Sequence, residues 1–241
     1  MKTMEEKTIG EYVADDFRSA AIFSKYGIDF CCKGHKSIDE VCQAKGLDKE
    51  ALIDEIGTVT NSNKGEIIDF KSWPLDLLID YIEKKHHRYV EEKILVIAQF
   101  LNKLCKVHGE RHPELFEIQK MFFESADELT QHMKKEELIL FPFIKKMVAS
   151  QNNESSLNHP PFGTVLNPIQ MMKHEHNNEG ERFRKIKELS NDYTPPQDAC
   201  NTYIVTFAMI DEFEQDLHKH IHLENNILFP TAENLENKLL N

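Results

Sequence analysis

His132-Met-Lys-Lys-Glu136-Glu-Leu-Ile-Leu-Phe141-Pro142 and His220-Ile-His-Leu-Glu224-Asn-Asn-Ile-Leu-Phe229-Pro230 carry histidine, glutamate four residues on, and Ile-Leu-Phe-Pro at identical offsets. Residues i and i+4 lie on one face of a helix, so each pair aims an imidazole and a carboxylate at one point. A single such pair is ordinarily a solvated helix face. Two in matching frame form an internal repeat, and the repeat extends upstream. From His87 to His132 is 45 residues and from His176 to His220 is 44, while His87 to His176 is 89 and His132 to His220 is 88. Of the 12 histidines, His86, His87, His132, His174, His176, His218, His220 and His222 fall in four short stretches, one in each of four long helical patterns.

The first pattern starts near Pro74 and passes Leu78, Ile82, Val90, Ile94, Ile97 and Leu101 to Gly109. The second follows Pro113 and passes Leu129, Ile139 and Phe143, with Pro142 expected to kink or reset it. A polar loop, Ser150 to Asn167, precedes the third, which is expected to open at Asn167-Pro168 and to run past Ile169, Met172, Gly180, Phe183 and Ile186. The fourth follows Thr194-Pro195-Pro196 and passes Phe213, Leu217 and Ile227. With no strand-like run, the fold class is all-α: a C-terminal four-helix bundle made of two helical hairpins related by an approximate two-fold.

Upstream, short segments close on glycines: Asp16 to Tyr26 before Gly27, Ile38 to Lys45 before Gly46, and Lys49 to Ile56 before Gly57. Ser37 and Glu40 have capping-box spacing. The chain thus divides into a small helical Cys-Cys domain at 1–59, a polar linker at 60–70 and the bundle at 71–241.

Composition narrows the function. The 41 acidic against 29 basic residues leave a net charge of −12, which repels phosphate backbones and anionic lipid heads, so neither nucleic acid nor membrane is an expected partner. No apolar run is long enough to span a bilayer, the start MKTMEEKTIGEY lacks signal-peptide layout, and five cysteines, two adjacent, suit a reducing compartment. A cytoplasmic location is expected.

His132 and Glu136 share a stripe with Leu129, Ile139 and Phe143, and His220 and Glu224 lie among Phe213, Leu217, Leu223 and Ile227. Polar groups on a core stripe must be paired or must coordinate a metal. The expected ligands are His87, His132, Glu136, His176, His220 and Glu224. His86, on the stripe of Ile79, Ile82 and Val90, is the alternative to His87. His174, His218 and His222 are expected to point elsewhere, and Glu128 and Glu175 are candidates for a second layer or polar channel. Six ligands split three and three, two carboxylates each able to bridge, and an imidazole–carboxylate set suits two iron ions, with manganese or a mixed pair as the alternative and positions left for an oxo or hydroxo bridge and a small diatomic ligand.

These motifs resemble hemerythrin-like domains, and the HxxxE pairs followed by Ile-Leu-Phe-Pro look like the RIC (repair of iron centres) family. Ile28-Asp-Phe-Cys31-Cys32-Lys-Gly-His35-Lys-Ser is similar to the cysteine-containing domain that precedes the bundle there. The resemblance implies a cytoplasmic di-iron protein that helps repair iron-sulfur clusters damaged by nitrosative or oxidative stress. Expected partners are damaged iron-sulfur proteins, nitric oxide, oxygen, and a second copy of the chain as a homodimer. An oxygen or nitric oxide carrier or sensor, and a di-iron nitric oxide reductase, are the alternatives.

Cys31 and Cys32 are expected to supply thiol chemistry. Neighbouring Cα atoms stand about 3.8 Å apart, too close for an easy disulfide, while Lys33, His35, Lys36 and a helix start at Ser37 favour a thiolate. Cys42, Cys105 and Cys200, in helical patterns, are expected to be inert.

Overall fold

The computed structural model describes residues 7–61, 68–152 and 160–240. Most of the expected 60–70 linker, and the 153–159 part of the polar loop, lie outside them. The N-terminal module comprises α1 (Ile9–Asp15), α2 (Ser19–Lys25), α3 (Ile38–Lys45) and α4 (Lys49–Thr60). Capping boxes at Thr8/Glu11 and Ser37/Glu40 start α1 and α3, satisfying amide groups that the first turn leaves free. Gly46, at φ 65°, ends α3 in the left-handed region that glycine enters without a Cβ clash. Three features differ from expectation, the first being that α2 opens at Ser19 and not at Asp16. The helix α1 escaped notice because no glycine punctuates it, and Gly57 does not stop α4, which continues to Thr60 because nothing forces a left-handed turn there.

The bundle's first helix is α5 (Leu75–Tyr81), a π-helical segment Ile82–His87, and α6 (Arg88–His108). The second is α7 (Glu114–Lys135), a π segment Glu136–Leu140, and α8 (Phe141–Gln151); the third is α9 (Leu166–Leu189); the fourth is α10 (Asn201–Leu223), a π segment Glu224–Leu228, and α11 (Phe229–Leu240). Helix α9 therefore opens before the expected Asn167-Pro168 cap, with Val165 at its N-cap.

The π segments explain why Ile-Leu-Phe-Pro repeats. Pro142 and Pro230 have no N–H to give and crowd the carbonyl one turn back, so the helix widens just ahead of them. Phe141 N–H reaches Glu136 O and Phe229 N–H reaches Glu224 O, five residues back. One surplus residue turns the following face by about 100°. Hence Ile139, expected in the core, is 50% exposed, while Leu140, Phe141 and Ile144 are buried in its stead.

Two apolar clusters fill the bundle. One spans Val90 to Leu104, Leu115 to Met133, Phe183, Ile186 and Tyr203 to Ile221, and is continuous with the module's Ile9, Phe23, Phe30, Leu52 and Ile56. The other holds Leu78 to Ile82, Leu140 to Met147, Ile169, Met172 and Leu223 to Leu235. On all four helices the expected ligands His87, His132, Glu136, His176, His220 and Glu224 stand between the two. Each fully buried Phe, Leu or Ile contributes roughly 1.5–3 kcal/mol, and that is what holds a polar layer in the middle of the bundle.

The module docks against the fourth helix. Asn226 Nδ2 donates to Phe30 O at 3.4 Å and Cys31 O at 3.3 Å, and a Cβ on Gly34 would stand 2.5 Å from Phe30 O, 2.6 Å from Asn226 Oδ1 and 3.0 Å from Gly10 Cα. Two of those neighbours are backbone and cannot yield. We expect Gly34→Ala to cost about 1–3 kcal/mol, read as a lower thermal midpoint with faster proteolysis of the module. An unchanged melt would show that this contact is slack.

Candidate metal centre

The fold brings the six expected side chains together in two overlapping groups. His87, Glu136, His220 and Glu224 form one; His132, Glu136, His176 and Glu224 form the other; within each, the ligand atoms lie within 4.8 Å of one another. All six are buried. Each histidine pair joins one residue from each hairpin, and the two-fold that exchanges His87 with His176 and His132 with His220 exchanges the groups. His86 is equally buried but turns aside. Its Nδ1 lies 3.0 Å from Asp216 Oδ2 and its ring stacks on His220 at 5.7 Å between centroids.

The glutamates sit between the groups. Glu224 Oε1 is 2.9 Å from His220 Nε2 and Oε2 is 3.1 Å from His176 Nε2, so its two oxygens address different groups. Glu136 Oε2 is 3.4 Å from both His87 Nε2 and His132 Nε2. Both Glu136 oxygens and Glu224 Oε2 lack a good hydrogen bond despite complete burial, a costly arrangement unless something else meets them. The Nε2 atoms also face inward, 3.2 Å apart in His87 and His220 and 3.1 Å apart in His132 and His176.

Outer partners fix the rings. His87 Nδ1 donates to Glu137 Oε1 at 2.9 Å, His132 Nδ1 to Glu175 Oε2 at 2.8 Å, and His176 Nδ1 to Asn225 Oδ1 at 3.0 Å. With Nδ1 engaged outward, Nε2 is left to bind at the centre. Two of these partners obey the two-fold, since Glu137 and Asn225 each follow a central glutamate; Glu175, just before His176, corresponds to His86, which stands just before His87 but pairs with Asp216 instead. His220 breaks the pattern, because its Nδ1 has no partner. Glu137 and Asn225 were invisible in the sequence because the repeat places different residue types there; their equal offsets are the only signal.

Charge follows from this layout. Burial opposes a proton on His87, but hydrogen bonds and attraction from Glu136 and Glu224 win and raise it to about 10. Burial likewise opposes a proton on His132, and Glu136 and Glu175 raise it to about 10. The hydrogen bond from His132 is the largest cause holding Glu175 down at about 2, helped by Lys135 at 2.5 Å. Burial would raise both Glu136 and Glu224, and the charge of Glu224 would raise Glu136 further, yet the surrounding imidazoles hold both low. The metal-free centre is thus two carboxylates neutralised by imidazolium.

A cavity of about 260 Å³ opens between α7 and α9, lined by Glu128, His132, Lys135, Glu175, His176 and Glu179 among others. It reaches one histidine pair only. Glu128 itself pairs with Arg182 at 2.7 Å, and His174 is exposed.

His218 and His222 turn from the centre, as expected, but not toward water. His222 is 1% exposed and packs on Phe17 and Phe30, and His218 packs on Phe30. Burial pushes them down to about 3 and about 4, so they serve as neutral docking surface. The module covers a helix face that the bundle alone would leave open.

Cys31 and Cys32 meet the same face. Cys32 Sγ donates to His176 O at 3.3 Å and rests over Gly180, where a Cβ would stand 3.3 Å from that sulfur. The expected activation of Cys31 is corrected by its surroundings. The neighbouring Cys32 thiol, burial and Asp29 raise it well above an ordinary thiol, and Lys33 faces Glu181 instead. Cys200 is not in a helix interior but exposed at the N-cap of α10, where the Tyr203 amide lowers its pKa. At neutral pH, alkylation should label Cys200 well before Cys31, Cys42 or Cys105. Mass spectrometry that finds Cys31 labelled first would restore the activated-thiolate reading.

Comparison with known proteins agrees with this organisation. Residues 5–60 match a domain described as of unknown function (ScdA_N), and residues 78–232 match the hemerythrin HHE cation binding domain. The iron-sulfur cluster repair protein ScdA of Staphylococcus haemolyticus is 34% identical over 93% of this chain and 96% of its own length. The iron-sulfur cluster repair protein YtfE of Musicola paradisiaca is 34% identical over 94% and 96%, and that of Escherichia coli O8 is 33% identical over the same shares. A cysteine-bearing helical module seated on a hemerythrin-type cation-binding bundle, matched along nearly its whole length, places the chain in the RIC (repair of iron centres) family of ScdA and YtfE.

Proposed function

We propose that the bundle holds two iron ions, one by His87 and His220, the other by His132 and His176, with Glu136 and Glu224 shared, and that the protein serves the repair of iron-sulfur clusters named in its relatives. The observation that carries this reading is Glu224, whose two oxygens address the two histidine pairs separately. Four neutral imidazoles and two carboxylates suit iron, and the donor set leaves each ion short of six ligands. Bound iron would supply redox chemistry and affinity for small diatomic ligands. The chain's own part is to aim Nε2 atoms through Glu137, Glu175 and Asn225, to keep bulk water out of a layer bounded by two apolar clusters, and to admit small molecules beside His132 and His176 through the cavity. That opening supports handling of nitric oxide. The Cys31–Cys32 segment, against the His176 carbonyl, would be the thiol element of repair. The test is anaerobic reconstitution with ample ferrous iron: about two irons per chain are expected, and a nitric-oxide-damaged iron-sulfur dehydratase should regain activity with the loaded protein and not with Glu136→Gln. One metal per chain, or stoichiometric zinc in preference to iron, would overturn the di-iron reading, and recovery that proceeds equally with the variant would overturn the repair role.

A further inference from the structure

Asp29, Cys31 and Cys32 bring three metal-ligating atoms together within 4.8 Å in the loop that the module presses against α9. Cys31 Sγ stands 3.7 Å from Cys32 Sγ and 3.4 Å from Asp29 Oδ1. A tetrahedral ion with metal–sulfur bonds of about 2.3 Å and a metal–oxygen bond of about 2.0 Å has a sulfur–sulfur edge of about 3.8 Å and a sulfur–oxygen edge of about 3.5 Å. Those edges match the observed separations closely. We propose that Asp29, Cys31 and Cys32 form a second metal site, separate from the histidine–glutamate centre, that takes one thiophilic divalent transition-metal ion through two thiolates and a carboxylate.

The donors are arranged in advance. Asp29 Oδ1 accepts from the Cys32 amide at 2.9 Å and the Lys33 amide at 3.3 Å, which fixes the carboxylate beside the thiols. Adjacency makes a disulfide between the cysteines strained, so the pair persists as a dithiol in a reducing compartment. Burial beside a carboxylate disfavours a bare thiolate at Cys31, and an entering cation reverses that preference. Loading needs no redox partner: a divalent ion replaces two thiol protons, which leave to solvent, and the complex of two thiolates and one carboxylate carries a net charge of −1.

The site is built for exchange more than for retention. Three protein ligands leave one tetrahedral corner open, and Cys32 and Asp29 are only half-buried. Arg184 Nη2, 3.5 Å from Asp29 Oδ2, adds a positive charge that weakens the hold on a cation. Cys32 Sγ touches the His176 carbonyl, and Asn225 joins the His176 ring to Cys31 O by bonds of 3.0 and 3.2 Å. An ion here is one side chain away from the histidine pair that the cavity serves. If the bundle holds iron, this is the position at which a ferrous ion entering or leaving it meets sulfur.

Cobalt(II) tests the site independently of what the bundle contains, because only thiolate ligands give the intense near-ultraviolet sulfur-to-cobalt charge-transfer band. The full chain carrying Cys200→Ser, reduced and under argon, should develop that band to saturation at one cobalt per chain beyond the bundle's content, and Cys31 and Cys32 should become resistant to alkylation. Cys31→Ser and Cys32→Ser should each abolish it. Asp29→Asn keeps an oxygen for the two amides, so the loop stays folded, yet binding should weaken by at least the roughly tenfold that loss of an outer partner costs a metal site. His132→Ala should leave the band intact, which separates this site from the bundle. No band with the bundle saturated, a band that survives either serine variant, or unchanged affinity in Asp29→Asn would each overturn the proposal.

Discussion

Replacing Glu136 or Glu224 by Gln is expected to drop the metal content well below half, because each carboxylate stands in both ligand groups. A neutral amide bridges poorly, and the lost charge leaves bound cations under-compensated in a buried layer. His220→Ala removes a donor from one group only, so a chain holding about one metal is the expected first product, and His132→Ala should resemble it. Metal analysis of the four variants, reconstituted side by side, decides the matter. If a glutamine variant keeps one full metal, the carboxylates are not shared as the geometry implies. In metal-free protein Glu136→Gln should also cost stability, because the Glu136 carboxylate is what holds His87 and His132 protonated, and that cost should shrink as pH rises and the two imidazoles lose their protons.

The second large effect is on pH. His87 and His132 have folded pKa values raised to about 10 from an ordinary 6.5. A raised value means that their stabilisation of the metal-free fold is fully present below about 6.5 and is lost as pH climbs toward 10, at up to about 1.4 kcal/mol per histidine per pH unit. Metal binding needs those imidazoles unprotonated, so it releases the same protons and tightens over the same interval. The interval between the melting temperatures of metal-loaded and metal-free protein should therefore widen from pH 7 to pH 9. Calorimetry in buffers of different ionisation enthalpy should read about two protons released per chain on loading at pH 7. A constant interval with no proton release would mean that these histidines are already neutral in the empty centre.

Histidine and glutamate spacing made the centre legible because helices convert sequence interval into direction with little dependence on anything else. Six side chains could be placed in one layer from offsets alone. What escaped was set by backbone hydrogen bonding or by contact across elements. The π segment after Glu136 moved Ile139 to the surface, and no residue type announces such a turn before a proline is seen to enforce it. Its spacing turns His222 away from the bundle's core, but the N-terminal module packs on that side through Phe17 and Phe30. Sequence neighbours of Cys31 are lysines and a histidine, whereas Asp29 and Cys32 are what its thiol meets in space. Helix α1 lacked a glycine stop and went unseen; Gly57 looked like a stop and is not one.

The two glutamates each stand at the first residue of a π segment, and the prolines six residues on have a bearing on how the centre keeps its shape. A helix with one residue too many has a phase slip, and such a slip can in principle travel along the helix, one hydrogen bond at a time, swinging each side chain it passes through about 100°. Pro142 and Pro230 act as stops. Neither can donate to the carbonyl four residues back, so the slip cannot be handed on past them. On the other side, His132 and His220 are anchored in the regular turns of α7 and α10. The slip is penned between histidine and proline, and the direction in which each glutamate points is decided by where a defect is trapped, much as a dislocation pinned between two obstacles sets the local lattice angle.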